Sequence, residues 1–260
     1  YNTSVFDSSD HNDFYSNYTY PIYASGNKTL EQWQPLGQDS NSVSIDPIFD
    51  ADSTLVPQVL PMDNLGTPIS GITDDINGTT RSTTTPDMGA IEFTLTGTPL
   101  SGSYTVGTGG DYDSLTHVLD DLEMLGFSGP VTFNILAGTY DEPVEIGSVY
   151  GASSTNTITF QSADANADSV IWKNTANSSS TNYVLKLNGT DHITLKHITF
   201  KNQSTSFSQK IVLSGVVDSV TIDNNKLLGY QGANSPNHTS NYGIGADAAG
   251  LKNKNNTCLL

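Results

Sequence analysis

Three aspartates, Asp7, Asp10 and Asp13, share one polar corner near the start of the chain, Asp7-Ser8-Ser9-Asp10-His11-Asn12-Asp13. Clustered carboxylate oxygens are what calcium takes, so these three are the calcium candidates. Their spacing is not that of an EF-hand loop and no bidentate Glu closes it; a set of Asx-turns fits the same residues. A second charged group is Asp75, Arg81 and Asp87, built around the only arginine of the chain. A planar guanidinium between two carboxylates makes either a site or a structural clasp, and the clasp is the reading adopted. Asp120-Asp121 and Glu123 look like acid pairs but belong to the solvated face of an expected helix. His192 and His197 lie five residues apart around one strand, so they point to opposite faces and do not share a metal. With Lys196 they are expected in a solvated outer row. Asp191, Asp218 and Asp223 could line one side and hold a cation, although turn carboxylates of this kind are expected in water. Gly107-Thr108-Gly109-Gly110 is not a phosphate loop, because no Gly-Lys-Ser/Thr follows and Asp111 and Asp113 flank it. Trp33 could stack on a sugar; a packed position is the expectation. No catalytic residue and no cofactor is assigned.

The elements that must carry these residues are legible between Tyr183 and Gly229. Two passes of one pattern run there: a leucine, a polar turn with glycine, then an alternating β-branched run. Leu187 to Leu213 is a spacing of 26 and Ile193 to Val220 is 27. In Ile193-Thr194-Leu195 and Val220-Thr221-Ile222 the apolar side chains share one face. Such a strand buries its face only by stacking on its equivalent in the next coil, and a period in this range with no helix between strands marks a solenoid. Asn224-Asn225 suits a sharp corner, because asparagine tolerates left-handed backbone. Val131–Ile135, Thr157–Phe160 and Val170–Trp172 fit the same scheme. A β-sandwich of short strands is the alternative to the parallel β-helix.

The chain has 260 residues, 14% charged, with 10 basic against 27 acidic residues and a formal net charge of −17. Nucleic acid and anionic membrane surfaces are disfavoured as partners, since both need a basic surface. No apolar run is long enough to span a bilayer. Cys258 is the only cysteine, so neither an internal disulfide nor a cysteine metal site is available. The Asn-, Ser-, Thr-, Gly- and Asp-rich composition suits a turn-rich extracellular β protein of bacterial type. No signal peptide is visible, and the chain begins at Tyr1.

Residues 1–93 read as one unit. Thr29 to Gln34 carries a capping box with Thr29 as cap and Gln32 three residues on, and predicts a short helix with Leu30 and Trp33 packed inward. Ser44 to Phe49 predicts a short extended piece with Pro47 at its edge. Residues 94–103 are a Thr/Gly/Pro/Ser linker. Residues 104–260 form a second unit opened by a capping helix over about 113–125, with Asp113 as N-cap and Gly126 as its end. Leu115, Val118, Leu119, Leu122 and Leu125 fall on its apolar face. Lys252 to Leu260 lose the coil pattern, so both ends read as cuts and the second solenoid as truncated.

Two resemblances follow from these residues. Asp10-His11-Asn12-Asp13, Thr29 to Trp33, Gly37 to Ser42, Asp46 to Phe49, Asp75 to Gly78 with Arg81, and Pro86 to Phe93 resemble the C-terminal closing segment of secreted right-handed parallel β-helix proteins of the Bacteroidota. Gly110-Asp111-Tyr112, the capping helix, Val131 to Ile135 and Gly138-Thr139-Tyr140-Asp141-Glu142 resemble the N-terminal entry of pectin-methylesterase-like and pectate-lyase-like β-helices. The resemblance implies an all-β fold, the tail of one right-handed parallel β-helix followed by the head of another. It implies secretion and no particular activity; the tandem units and Asn/Thr-rich faces point to a polysaccharide partner. The aspartates and arginine that work in the esterases, the arginine or lysine base of the lyases and the aspartate set of the hydrolases find no matching motif here. The expectation is a monomeric tandem solenoid at the cell surface that binds polysaccharide without catalysis. A fragment of a lyase, esterase or hydrolase acting on pectin-like polymers is the alternative.

Overall fold

Alternating β-branched and aromatic side chains between polar corners dictate short strands, and the computed structural model arranges them as a parallel β-helix. It describes residues 9–16, 20–51, 53–175, 181–204, 208–229, 243–246 and 257–259. The chain divides into two compact units, Tyr1–Thr98 and Pro99–Leu260.

The first unit has little regular structure. Strands β1 (Ile22–Tyr23) and β2 (Asn27–Lys28) pair antiparallel, and helix α1 (Leu30–Trp33) follows with the reciprocal Thr29–Gln32 capping box in place. Short 3₁₀ turns occupy Gln34–Leu36 and Leu60–Met62. Val43, Ile45, Val59 and Met62 form a small core, with Leu65, Met88 and Phe93 against it. Ser44 to Phe49, expected as a short extended piece, joins no sheet. Only Val43 pairs, as a bridge to Asp13, and Ile48 turns left-handed at φ 42.

The second unit starts with β3 (Leu100–Val106), so residues 100–103 belong to a strand and not to a linker. Helix α2 (Leu115–Leu125) follows, then β4 (Phe127–Ile135), β5 (Gly138–Asp141) and β6 (Val144–Ile146). The next coil is β7 (Ile158–Ser162), β8 (Val170–Asn174) and β9 (Leu185–Asn188). The third is β10 (Ile193–Lys196), β11 (Thr199–Asn202) and β12 (Ile211–Ser214). The last is β13 (Thr221–Asp223), β14 (Lys226–Leu228) and β15 (Ile244–Ala246), with β16 (Thr257–Leu259) after it. Each strand stacks parallel on its equivalent, giving sheets of order β16-β13-β10-β7-β4-β3, β14-β11-β8-β5 and β15-β12-β9-β6.

The register matches the spacing in the sequence. Leu187 lies beside Leu213 and Thr194 beside Thr221. The period is not uniform, however. It is 27 from Val131 to Ile158 and from Thr194 to Thr221, but 35 from Ile158 to Ile193 and 36 from Thr221 to Thr257. Corners absorb the extra residues, because the coil is fixed by strand stacking and not by loop length.

Inward side chains stack coil on coil. Phe133 and Phe160 lie 5.0 Å apart ring to ring, Phe160 and Trp172 6.2 Å, and Trp172 and Phe200 5.6 Å. All four are fully buried, each contributing about 2–3 kcal/mol by area. Left-handed corners recur in register: His192 and Ser219 have φ 54 and 55, and His197 and Asn224 have φ 53 and 52. Asn225 is buried there, donating Nδ2 to the Leu195 carbonyl at 2.8 Å and accepting from the Ile198 N–H at 2.8 Å.

Candidate functional site

The acids of the first unit are turned onto backbone. Asp10 accepts from the Asn41 N–H at 2.6 Å and from Asn41 Nδ2 at 2.7 Å. Burial opposes its ionisation, but Asn41 and His11 outweigh it and the carboxyl sits below the usual range. Asp13 accepts from the Ile45 N–H at 3.0 Å. Burial, with Asp46 nearby, pushes its pKa up to about 6 against that hydrogen bond. The two carboxylates therefore hold different residues of the same 41–45 segment; Asp7 lies outside the described residues. Among the described residues no group of three or more His, Cys, Asp or Glu is placed to hold a metal ion.

The hub of this corner is Asp39, which sequence reasoning passed over. It is 2% exposed and accepts from Trp33 Nε1 at 2.7 Å, and from Ser9 Oγ, Asn12 Nδ2 and Ser42 Oγ at 2.9 Å each. Burial raises its pKa, yet these donors together bring the net direction down. Trp33 is half-buried with its indole N–H engaged on Asp39. The signal was local: a Trp six residues before an Asp that is followed by Ser and Asn.

Asp75, Arg81 and Asp87 do gather, but not as an aspartate–arginine ion cluster. Arg81 donates to the carbonyls of Asp87 at 3.0 Å and Gly89 at 2.6 Å, and its ion partner is Glu92 at 3.5 Å. Asp75 accepts from the N–H groups of Asn77, Thr79 and Glu92. The Glu92 N–H leads in holding its carboxyl below the usual range, with Arg81 a further charge in the same direction. Asp87 accepts from the N–H groups of Asn64 and Phe93 at 2.6 Å each; burial, aided by Glu92 and Asp63, moves its carboxyl upward. A side chain at Gly66 would strike the Pro86 and Asp87 carbonyls, so the loops close this tightly only with glycine there.

In the second unit the Gly-Thr-Tyr-x-Glu piece is structural. The Tyr140 hydroxyl donates to the Leu136 carbonyl at 2.8 Å and lies within reach of the Val106 carbonyl at 3.2 Å, filling the space a side chain at Gly107 would need. Glu142 accepts from the Thr116 N–H and hydroxyl at 3.1 Å, an anion on the first turn of α2. The cap of α2 is Ser114, which accepts from the His117 N–H at 3.2 Å. Asp113 stands one residue too early and pairs with the His117 ring at 2.6 Å. On the outer side of α2, Asp120 and Glu123 are exposed, while Asp121 accepts from the Tyr112 hydroxyl at 2.9 Å. Asp191 accepts from the Asp218 N–H at 2.5 Å, Asp218 from the Ser219 N–H at 2.7 Å, and Asp223 from Asn224 Nδ2 at 2.9 Å. His192 and His197 are corner residues, not members of an outer row on a strand. Their main-chain N–H groups reach the carbonyls of Asp218 and Asp223 in the next coil at 3.2 Å each.

Two further groups emerged only from the coil register. On the outer face of the β6–β9 sheet, Glu145 meets Lys186 at 3.0 Å and Asn188 at 2.9 Å, with the Tyr183 hydroxyl at 3.5 Å. Behind the next corner, Lys210 is 3% exposed and donates to the Ser208 carbonyl at 2.7 Å and hydroxyl at 3.2 Å. Burial pushes its amine down to about 8. These arrangements bind backbone and order corners; their outward atoms offer hydrogen bonds to a polar ligand.

The fold defined by this geometry is a parallel β-solenoid. No family model matches the chain, and no curated protein matches it. A solved pectin methylesterase from Aspergillus niger is similar over 58% of this chain and 69% of that one, at 15% identity and a TM-score of 0.30. The fold rests on the strand register and not on that likeness. No described helix is long and apolar enough to cross a membrane.

Proposed function

We propose that this chain is a secreted, cell-surface β-helix module that binds polysaccharide without cleaving or de-esterifying it. The observation that carries the reading is the use made of the carboxylates. Asp10, Asp13, Asp75, Asp87, Asp191 and Asp218 each accept a main-chain N–H and hold a turn. Glycoside cleavage by two acids needs both to flank one scissile bond, with a proton free to move. Acids engaged in separate turns do not supply that. What faces outward from the coils is largely Thr, Asn, Gln and Lys, suited to sugar hydroxyls. With a net charge of −17, an anionic pectin chain is repelled unless calcium bridges it, so an uncharged glycan is the natural partner. In this reading the first unit closes one β-helix and the second, Pro99–Leu260, opens another, as parts of a monomeric tandem solenoid.

The test is a polysaccharide panel with and without calcium, scored for binding, unsaturated ends, reducing ends and released methanol. Retention on at least one glycan with no product is expected. Product formed by this chain would replace the reading with that of a lyase, hydrolase or esterase acting on pectin-like polymers.

A further inference from the structure

The outward faces of the three sheets differ in one respect that the sequence order conceals. Thr132 lies beside Thr159, Thr159 beside Thr194, and Thr194 beside Thr221, all in the longest sheet. The same residue type returns although the sequence spacings are 27, 35 and 27. Threonine suits any exposed strand position, so strand propensity is the bland account of each one singly. It does not account for the uniform row, because the other sheets show none. Their equivalent rows read Thr139, Ile171, Thr199, Lys226 and Glu145, Lys186, Val212, Gly245.

The four threonines are half-buried between core residues, as with Thr159 between Ile158 and Phe160. Their hydroxyls have no hydrogen-bond partner among the described residues. Fully buried threonines behave differently: Thr190 and Thr199 donate to the Ile146 and Ala167 carbonyls at 2.5 and 2.6 Å. Beside the row, Gln161 donates to Asn134 at 2.9 Å, which fixes that shoulder. With strands about 4.8 Å apart, these four span about 14 Å, and the register continues from them to Ser103 and Thr257. The row offers one hydroxyl and one methyl per coil, the mixture that a sugar ring presents with its hydroxyls and C–H faces. The row is uncharged on a molecule of net charge −17, which disfavours polyanions there.

We infer that the threonine row Thr132–Thr159–Thr194–Thr221 seats an uncharged, extended polysaccharide lying along the solenoid, one sugar to a coil. The assignment rests on the polysaccharide-binding reading above and names its face and ligand class. Affinity electrophoresis through hydroxyethyl cellulose, xylan and glucomannan tests it, with polygalacturonate as the anionic control. Retardation by a neutral polymer is expected. The double variant Thr159→Val, Thr194→Val keeps the β-branched shape, and its circular dichroism and unfolding midpoint should match the parent. Loss of two hydrogen bonds should weaken binding about tenfold or more. Unchanged binding by the double variant overturns the assignment. So does loss of binding in Lys186→Ala with the threonine variant still bound, or retardation by polygalacturonate alone; in both cases polysaccharide binding itself survives. Retardation by none of the four polymers overturns the assignment and removes support from the reading beneath it.

Discussion

Asp13 shows how one residue sets a pH response. Its carboxyl holds the Ile45 N–H from a half-buried position beside Asp46, and its pKa is pushed up from 3.8 to about 6. The folded state therefore keeps the proton that the unfolded chain has already released. The contribution is fully present below about pH 4 and is lost as pH rises to about 6; solvent reaching the half-exposed carboxyl screens its size. Asp13→Asn retains an oxygen acceptor for Ile45 and removes the charge. Protection of the Ile45 amide against hydrogen exchange, corrected for intrinsic rates, should fall between about pH 4 and pH 6 in the parent and stay level in the variant. A parallel fall in both would show that Asp13 is not the cause. Lys210 has the opposite sense: an amine held near 8 costs stability at neutral pH and less as pH rises toward its ordinary value.

The elements that organise the coil are its corners as much as its strands. Asn224 supplies left-handed backbone, and Asn225 ties the corner to the coil before it through the Leu195 carbonyl and the Ile198 N–H. Asn225→Ala strands a buried acceptor and a buried donor together, at a cost of about 2–4 kcal/mol. Because coils stack on nearest neighbours only, the loss should be local. Amides of β10 and β13 should lose protection while those of β4 and α2 keep theirs. A variant as stable as the parent would mean that water replaces both bonds. The capping helix teaches a related point. Its apolar face was readable from leucine spacing, but its start was decided by one residue: Ser114, in extended backbone, reaches the His117 N–H. Asp113 was the expected cap; Ser114, as good a cap by type, is the one whose backbone places it to act.

For the molecule as a whole, net charge sets the response to salt. A net charge of −17 repels itself within either compact unit, and salt screens that repulsion. Raising sodium chloride from about 20 to about 200 mM shortens the screening length severalfold, so the thermal midpoint should climb by a few degrees. A flat or falling midpoint would mean that the ion pairs, such as Lys186–Glu145 and Arg81–Glu92, outweigh the general repulsion. The sequence by itself determined the stacking of coils, because alternation in Ile193-Thr194-Leu195 and its echo 27 residues on leaves one face to bury, and only a neighbouring coil can bury it. It determined the capping box at Thr29 and the net charge of −17 for the same kind of local or additive reason. The partners of the acids were beyond it. Asp75, Asp87 and Arg81 were found together, yet their hydrogen bonds go to main-chain groups and Glu92, and backbone donors carry no letter in a sequence. The threonine row was likewise invisible, since corners of unequal length separate its members. Only the register of stacked strands, fixed by backbone hydrogen bonding in three dimensions, brings them into line.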